Sequence, residues 1–470
     1  MELKEFQDED ITRLEKTPTA AFFWGIGTGK TLAGVERDRR LRLFAEWSGV
    51  GDGPTLVIAP LSVHEHWKRH FELHYSSAPD RLEVIMVGDD RDLFLKALGD
   101  DYYDVYIVNW DLLRLPKINS SRKYFSTDLY YALTSQKWFH VIADEAHRAK
   151  NRTAQQTKVL KKIKTEYKTA LTGTPIANRP PDLWSILNWL YPKDFSSYWR
   201  WYARYSESHF DYRGTTKYHV YDGPKNTGEL QQRIAPFTVQ RGREVRPQLP
   251  PRHVELMVDL DPKQRRAYET MRKHMVAWVG EQEDTPLVAS AVVAKLQRLQ
   301  MLAIAHADID SEGSVTMIEP SSKLDALMEL LEDNPNEQFV VFSQFRGTVS
   351  LLSSRLERLG IKYGRIIGGQ SADERSSEID SFAAGASRII VGTIAAGGEG
   401  IDGLQCASAL VFVDRDWSPA RNDQAIGRID RLGQHGSVVV YDIVARNTVD
   451  QYKGQLLNRK ASWIRQMLNQ

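Results

Sequence analysis

The stretch FFWGIGTGKTLAG, Phe22 to Gly34, sets a glycine-rich turn between an apolar run, Thr19 to Trp24, and a helix-forming run from Leu32 onward. A buried strand, a turn and a helix in that order are the context in which Gly-Lys-Thr binds a nucleotide phosphate. Gly25, Gly27 and Gly29, with Thr28 among them, let backbone N–H groups close around phosphate oxygens at a helix N-terminus. Unsatisfied donors and the helix dipole favour anions there. Lys30 is then placed to reach the β and γ phosphates, and the Thr31 hydroxyl to ligate magnesium. Trp24 departs from the strict pattern, which has Gly or Ala at that position. Taken alone, the stretch also fits a strand-to-helix turn that holds no ligand.

At 470 residues the chain exceeds one ordinary core, so two or more domains are expected. A hydrophobic share of 42% and a charged share of 26% describe a globular protein rather than a disordered one. No apolar run approaches a membrane span, and the polar start MELKEFQDED predicts neither signal peptide nor anchor, so a cytoplasmic protein without a membrane partner is expected. The single cysteine, Cys406, excludes an internal disulfide framework and a Cys-based zinc cluster, and is expected to be a small buried hydrophobe. Because the net charge is only +1, a nucleic-acid partner would require basic residues gathered on one surface.

A second informative stretch is WFHVIADEAHRAKN, Trp138 to Asn151. Its apolar strand, Phe139 to Ala143, delivers Asp144 and Glu145 to the C-terminal edge of a sheet, where ligands bind in parallel α/β folds. Asp144 can hold magnesium, and Glu145 can orient or deprotonate an attacking water. After a phosphate-binding turn, this pair points to hydrolysis. From Arg148 to Lys168 eight cations follow against Glu166, which suits either a solvated helix face or phosphate contact.

These residues resemble the Swi/Snf family of ATP-driven DNA translocases in helicase superfamily two. DEAHRAKN, Asp144 to Asn151, is similar to that family's extended second motif. TLVIAPLSVHEHWKRHF, Thr55 to Phe71, and YIVNWDLLR, Tyr106 to Arg114, resemble motifs Ia and Ib. ALTGTPIANRPPDLW, Ala170 to Trp184, resembles motif III. FVVFSQF, GTIAAGGEGID, DRDWSP and DQAIGRIDRLGQ are similar to motifs IV and V, the tryptophan segment and motif VI. The resemblance covers essentially the whole chain in the expected order. It implies ATP and Mg2+ as cofactors, with Gln7 reading adenine. It also implies that Gln424, Arg428 and Arg431 match motif VI, whose arginines reach the γ-phosphate from the second lobe. An arginine supplied in this way stabilises transition-state charge. Asp402 and Asp430 replace the usual asparagine and histidine without removing a catalytic group.

The expected fold class is α/β, two RecA-like parallel-sheet lobes with helical insertions between them. Lobe 1 is placed at 1–185, with strands near Thr55 to Ala59, Val105 to Asn109, Val141 to Ala143 and Lys168 to Leu171. A helical protrusion at 186–242, a proline-rich linker at 243–252 and a second helical protrusion at 253–320 follow. Lobe 2 is placed at 321–447, with strands at Phe339 to Ser343, Ile389 to Thr393 and Ala409 to Val413. An amphipathic segment at 448–470 resembles the family's brace helix. The alternating aromatics of His209 to Gly223 around Gly-Thr-Thr predict a hairpin, either packing or base-stacking.

By the same resemblance, Pro60, Ser62, Thr172, Gly173, Thr393 and Gly398 touch the sugar-phosphate backbone of double-stranded or forked DNA. Trp417 is either a core tryptophan or DNA-proximal. Phosphate contacts carry no sequence information, so binding should be salt-dependent and weakly sequence-selective. The implied activity is that of a DNA-dependent ATPase acting as a monomeric motor, inching along one strand of a duplex. Its insertion resembles the fork-remodelling, strand-annealing branch. The absence of accessory modules in the sequence fits a bacterial or phage protein of replication, recombination or repair, with replication or repair proteins as partners. An RNA or single-strand helicase and an ATP-binding DNA-junction clamp without turnover are the alternatives.

Overall fold

The computed structural model describes residues 3–49, 53–75, 82–88, 91–100, 103–113, 123–176, 180–213, 216–245, 249–281, 288–309, 315–397, 403–431, 434 and 436–468. The chain divides into two compact units, the first comprising 1–206, 224–247 and 463–470 and the second 207–223 and 248–462. Each carries one parallel sheet, which is the expected α/β class.

In the first unit the strands are β1 (Thr19–Trp24), β2 (Thr55–Ala59), β3 (Val84–Met86), β4 (Val105–Asn109), β5 (Lys137–Asp144) and β6 (Lys164–Leu171). The predicted hairpin is a two-stranded sheet of β7 (Ser206–Arg213) and β8 (Thr216–Pro224), whose residues 207–223 belong to the second unit, its turn at 214–215 lying outside the described residues. The next strand, β9 (Thr238–Arg241), returns to the main sheet, whose order is β3-β4-β2-β5-β6-β1-β9. Every pairing within it is parallel. Side chains alternate across β1: Ala21 and Phe23 enter the core on one face, and Ala20, Phe22 and Trp24 enter the core on the other. Burial on both faces is why these strands read as unbroken apolar runs. Because β1, β5 and β6 are neighbours in one parallel sheet, the turns after them open at the same edge.

The segment 186–242, expected as a helical protrusion, is therefore only partly helical, since β9 pairs with β1 through Ala21–Thr238 to Trp24–Arg241. Its helices Leu183–Leu190 and Tyr198–Tyr205 are rich in aromatics. Those rings absorb part of the preceding basic run. The Arg152 guanidinium lies 4.7 Å from the Tyr198 ring centre and Lys161 Nζ 4.6 Å from that of Trp184. Lys168 Nζ donates to Trp189 O at 2.8 Å. Burial, with Arg152 nearby, pulls the Lys161 pKa down to about 8.

Three helices open the first unit: α1 (Glu5–Leu14), α2 (Lys30–Ser48) and α3 (His64–His74). A buried polar network ties α2 to the sheet. Asp38 accepts from Thr55 Oγ1 at 2.6 Å and Arg42 Nε at 2.9 Å, and meets His140 Nδ1 at 2.8 Å. His140 Nε2 lies 2.7 Å from Thr169 Oγ1, which itself accepts from Arg37 Nε at 3.1 Å. The network assigns the imidazole proton to Nδ1. Burial alone would raise the Asp38 pKa, but Arg42, His140 and Thr55 together hold it below the ordinary range. The stability this provides is present above the unfolded value of about 4 and is lost as pH falls below it. Asp38→Ala leaves a buried guanidinium without its carboxylate and is expected to destabilise the protein by about 3–5 kcal/mol. Urea unfolding checks this, and a loss of under about 1 kcal/mol, the size of a surface pair, would contradict it.

The second unit holds β10 (Arg252–Val258), β11 (His306–Ile309), β12 (Val315–Ile318), β13 (Phe339–Ser343), β14 (Gly364–Ile366), β15 (Ile389–Thr393), β16 (Ala409–Phe412) and β17 (Val439–Ala445). Its main sheet runs β10-β17-β16-β13-β15-β14, all parallel. The expected second helical protrusion at 253–320 therefore begins with a strand of the lobe 2 sheet, and its helices are Pro262–Glu281 and Val288–Ile304. The predicted linker is a short 3-10 turn, Arg243–Val245, then 246–248 outside the described residues, and then the approach to β10. Cys406 is exposed rather than buried, because it ends a one-turn 3-10 segment, Leu404–Cys406, whose Leu404 takes the core position instead. The last helix spans Val449–Leu468, and its final residues Met467 and Leu468 are buried in the core of the first unit. Among the described residues, no helix is long and apolar enough to cross a membrane.

Candidate active site

The turn after β1 has the geometry its glycines predict. Gly27 and Gly29 hold φ of 75° and 84°, and a Cβ on Gly29 would lie 2.4 Å from Gln7 Nε2. The helix α2 opens at Lys30, so its free N–H groups face the turn. Thr28 is buried, its hydroxyl donating to Gly25 O at 2.7 Å; Lys30 Nζ donates to Trp24 O and Gly25 O at 3.1 and 3.2 Å. Thr31 is half-buried in the first turn of α2.

Gln7, on α1, is buried against this turn. Its Nε2 donates to Thr28 O at 2.8 Å and its Oε1 accepts from Lys4 N at 2.9 Å. One N–H and one lone pair remain on the amide, the complement of adenine N7 and N6–H. Trp24, the residue that breaks the strict pattern, closes β1 and donates from Nε1 to Asp10 Oδ2 at 3.0 Å. Arg241 on β9 grips the same carboxylate through Nε at 2.9 Å and Nη2 at 2.7 Å. Trp24 thus anchors α1, and with it Gln7, over the turn.

Asp144 ends β5 at 7% exposure, and Glu145 follows in the left-handed region at φ 50°. That conformation is costly for a non-glycine residue and is found where surrounding structure over-determines it. Asp144 Oδ1 accepts from Glu145 N and Oδ2 from Trp67 Nε1, both at 2.9 Å. Burial, and then the Glu145 charge, push the Asp144 pKa above the usual carboxylate range, while Trp67 and Lys30 pull against them. The turn bearing Lys30 and the Asp144–Glu145 pair open at the same edge of the sheet, because β1, β6 and β5 are successive neighbours in it. The remaining lone pairs of Asp144 and the Thr31 hydroxyl are hard oxygen donors, which suit magnesium; among the described residues no group of three or more His, Cys, Asp or Glu offers an all-protein cage.

His147 extends the site beyond the predicted residues. Its Nδ1 is 3.1 Å from Glu145 Oε2, 3.1 Å from Thr172 Oγ1 and 3.4 Å from Thr174 Oγ1. The carboxylate pair and the turn after β6 are joined through one imidazole. Thr172 is fully buried, with its N–H donating to Phe22 O at 3.2 Å, and a Cβ on Gly173 would be 3.2 Å from Trp24 O. Both lie packed against β1, which leaves Thr172 closed to solvent. Pro60 is buried and Ser62 exposed in the turn Leu61–Val63.

In the second unit Gln424 is buried on the helix Pro419–Ile426, and Arg428 and Arg431 are half-buried just beyond it. Burial lowers the Arg431 pKa. Thr393 is buried at the end of β15, and Gly398 and Asp402 lie outside the described residues. Trp417 is half-buried, donates to Gln300 Oε1 at 3.0 Å and has Lys453 Nζ 4.9 Å from its ring centre. Its packing role is therefore visible.

Compared with known proteins, the chain matches the SNF2-related domain over residues 11–333 and the helicase conserved C-terminal domain over residues 322–433. It is 26% identical over 421 residues to an uncharacterized ATP-dependent helicase of Mycoplasma pneumoniae, covering 88% of this chain and 37% of that protein. It is also 26% identical over 443 residues to the ISWI chromatin-remodeling complex ATPase ISW1 of Saccharomyces cerevisiae, covering 91% of this chain and 36% of that one. The chain thus spans little more than a third of either relative's length. A solved structure of the Sulfolobus solfataricus SWI2/SNF2 ATPase core with double-stranded DNA is similar at 23% identity and a TM-score of 0.42, covering 99% of this chain and 92% of that one. With the SNF2-related match extending over more than half of its residues, this chain belongs to the SNF2-related family of helicase superfamily two.

Proposed function

We propose that this chain is an ATP-hydrolysing motor that translocates on double-stranded DNA and remodels DNA structures or DNA–protein complexes. The observation that carries the proposal is the convergence, at one edge of the first sheet, of the Gly25–Thr31 turn, the Asp144–Glu145 pair and the His147-linked turn at Thr172, in a chain of the SNF2-related family. Gln7 selects adenine, and backbone N–H groups of Gly25 to Gly29 with Lys30 hold the phosphates. Thr31 and Asp144 hold magnesium, which when bound neutralises charge on the phosphoryl oxygens. Glu145 takes a proton from the attacking water, and His147 beside it keeps the carboxylate oriented. Arg428 and Arg431, with Gln424, complete the proposed catalytic set, the arginines stabilising the charge that develops.

On the DNA side, Ser62 is the exposed candidate among the described residues; Pro60, Thr172, Gly173, Thr393, Gly398 and Trp417 complete the proposed contact set. Backbone contacts of this kind fit duplex or forked DNA without sequence preference. A role at forks, in replication, recombination or repair, in a bacterial or phage-infected cell, is the finer form of the proposal. The fork role rests on the resemblance of the aromatic insertion, Asn178 to Tyr205 and Asn226 to Leu230, to the strand-annealing branch.

Steady-state hydrolysis with no nucleic acid, duplex, forked and single-stranded DNA, and RNA at fixed low salt tests this. Duplex stimulation with forks equal or better and RNA inert is expected. Stimulation by RNA or single strands alone would favour a helicase of that class, and ATP binding without turnover a clamp. Within the nucleotide site, Gly29→Ala forces a side chain into the left-handed region and against Gln7. With about 1–3 kcal/mol of strain at such a position, ATP affinity by calorimetry is expected to fall about tenfold or more, and an unchanged affinity would contradict the placement.

A further inference from the structure

Two buried tryptophans converge on Asp144 from outside the nucleotide-binding turn. Trp67, fully buried on α3, donates its indole N–H to Asp144 Oδ2 at 2.9 Å. Trp110, also fully buried, opens the 3-10 turn Trp110–Leu113 after β4 and donates to the Asp144 backbone carbonyl at 2.8 Å. One bond fixes the rotation of the carboxylate; the other fixes the main chain that carries it. Trp67 also touches the glycine-rich side of the site, because its Cη2 lies 2.7 Å from where a Cβ on Gly34 of α2 would stand. Only glycine at position 34 lets the ring approach that closely.

We propose that Trp67 and Trp110 are positioning residues for the magnesium-holding carboxylate, and that Gly34 is required to seat Trp67. Trp67 lies in the first turn of α3, directly after the Leu61–Val63 turn that presents Ser62. Ser62 and Trp67 therefore lie in one short continuous segment, through which movement of the Leu61–Val63 turn reaches the Asp144 hydrogen bond. The inference rests on the reading of Asp144 as a magnesium ligand.

The test compares ADP affinity in EDTA with that in excess Mg2+, by titration of a fluorescent ADP, for the parent, Asp144→Asn, Trp67→Phe and Trp110→Phe. Phenylalanine keeps an aromatic ring at each position while removing the donor. Loss of an outer partner of a metal ligand costs about 10–100-fold in metal affinity. Trp67→Phe is therefore expected to erase about tenfold or more of the tightening that Mg2+ confers, while affinity in EDTA stays at the parent value. Trp110→Phe shifts the same quantity in the same direction. Should Trp67→Phe fail to fold, Gly34→Ala, which displaces the ring, carries the measurement. Parent-like tightening in Trp67→Phe overturns the positioning role, as does an equal loss with and without Mg2+, the mark of a purely structural residue. Parent-like tightening in Asp144→Asn removes the magnesium assignment itself, and the inference falls with it.

Discussion

Glu145→Gln is expected to leave ATP binding near the parent value and to lower turnover by about 10²- to 10⁴-fold, the range for a lost general base. The amide keeps the size of the side chain but cannot take a proton, so the loss should appear in kcat. Glu145 Oε2 lies 3.1 Å from His147 Nδ1, and glutamine keeps an oxygen acceptor on a side chain of the same length. A nucleotide titration beside a steady-state rate separates the two effects. A variant that hydrolyses ATP at the parent rate would place the base elsewhere, and a variant that no longer binds ATP would make Glu145 structural.

Arg431→Ala and Arg428→Ala form the second large expectation. An arginine supplied to a transferring phosphoryl group is worth about 10³ to 10⁵ in rate. Each single variant should approach that loss in kcat while the thermal midpoint of unfolding and ATP affinity stay close to the parent. Lysine should not rescue either position, because an ammonium cannot reproduce the planar, two-pronged donor geometry of a guanidinium. If turnover falls by less than about tenfold, a free-energy change of only about 1.4 kcal/mol, the arginines serve as ordinary ion-pair partners.

Much of the sheet architecture was legible because parallel strands buried on both faces must be apolar throughout. TAAFFW, TLVIA, VYIVN, FVVFS and IIVGT are strands over the expected residues, Thr19–Trp24, Thr55–Ala59, Val105–Asn109, Phe339–Ser343 and Ile389–Thr393. Most strands that escaped are short or lie at sheet edges; Val439–Ala445, an interior strand of seven residues, escaped as well. Val84–Met86 has three residues, Thr238–Arg241 reads TVQR, and Arg252–Val258 alternates charge with apolar residues along an outer strand. A single covered face leaves no continuous apolar signal. Missing β9 and β10 is why 186–242, apart from its hairpin, and 253–320 were read as helical protrusions.

The site divides in the same way. The glycine-rich turn and the Asp-Glu pair announce themselves because each needs its groups within a few residues. The bonds that orient them span the chain: Trp67 to Asp144, Asp10 to Trp24 and Arg241, His147 to Thr172. A tryptophan in an amphipathic helix reads as core, and Trp67 is indeed core; only its one polar atom carries the further role. Trp24, which looked like a defect in the phosphate-binding pattern, exchanges a glycine for an anchor on α1.

Displacement of a third strand from a fully duplex DNA tests the proposed motor most directly, since it requires movement along the duplex but no separation of its strands. Hydrolysis-dependent release of the third strand is predicted for the parent chain, none for Glu145→Gln, and a decline as salt rises and weakens the phosphate contacts. Duplex-stimulated hydrolysis with no displacement under any salt condition would contradict translocation.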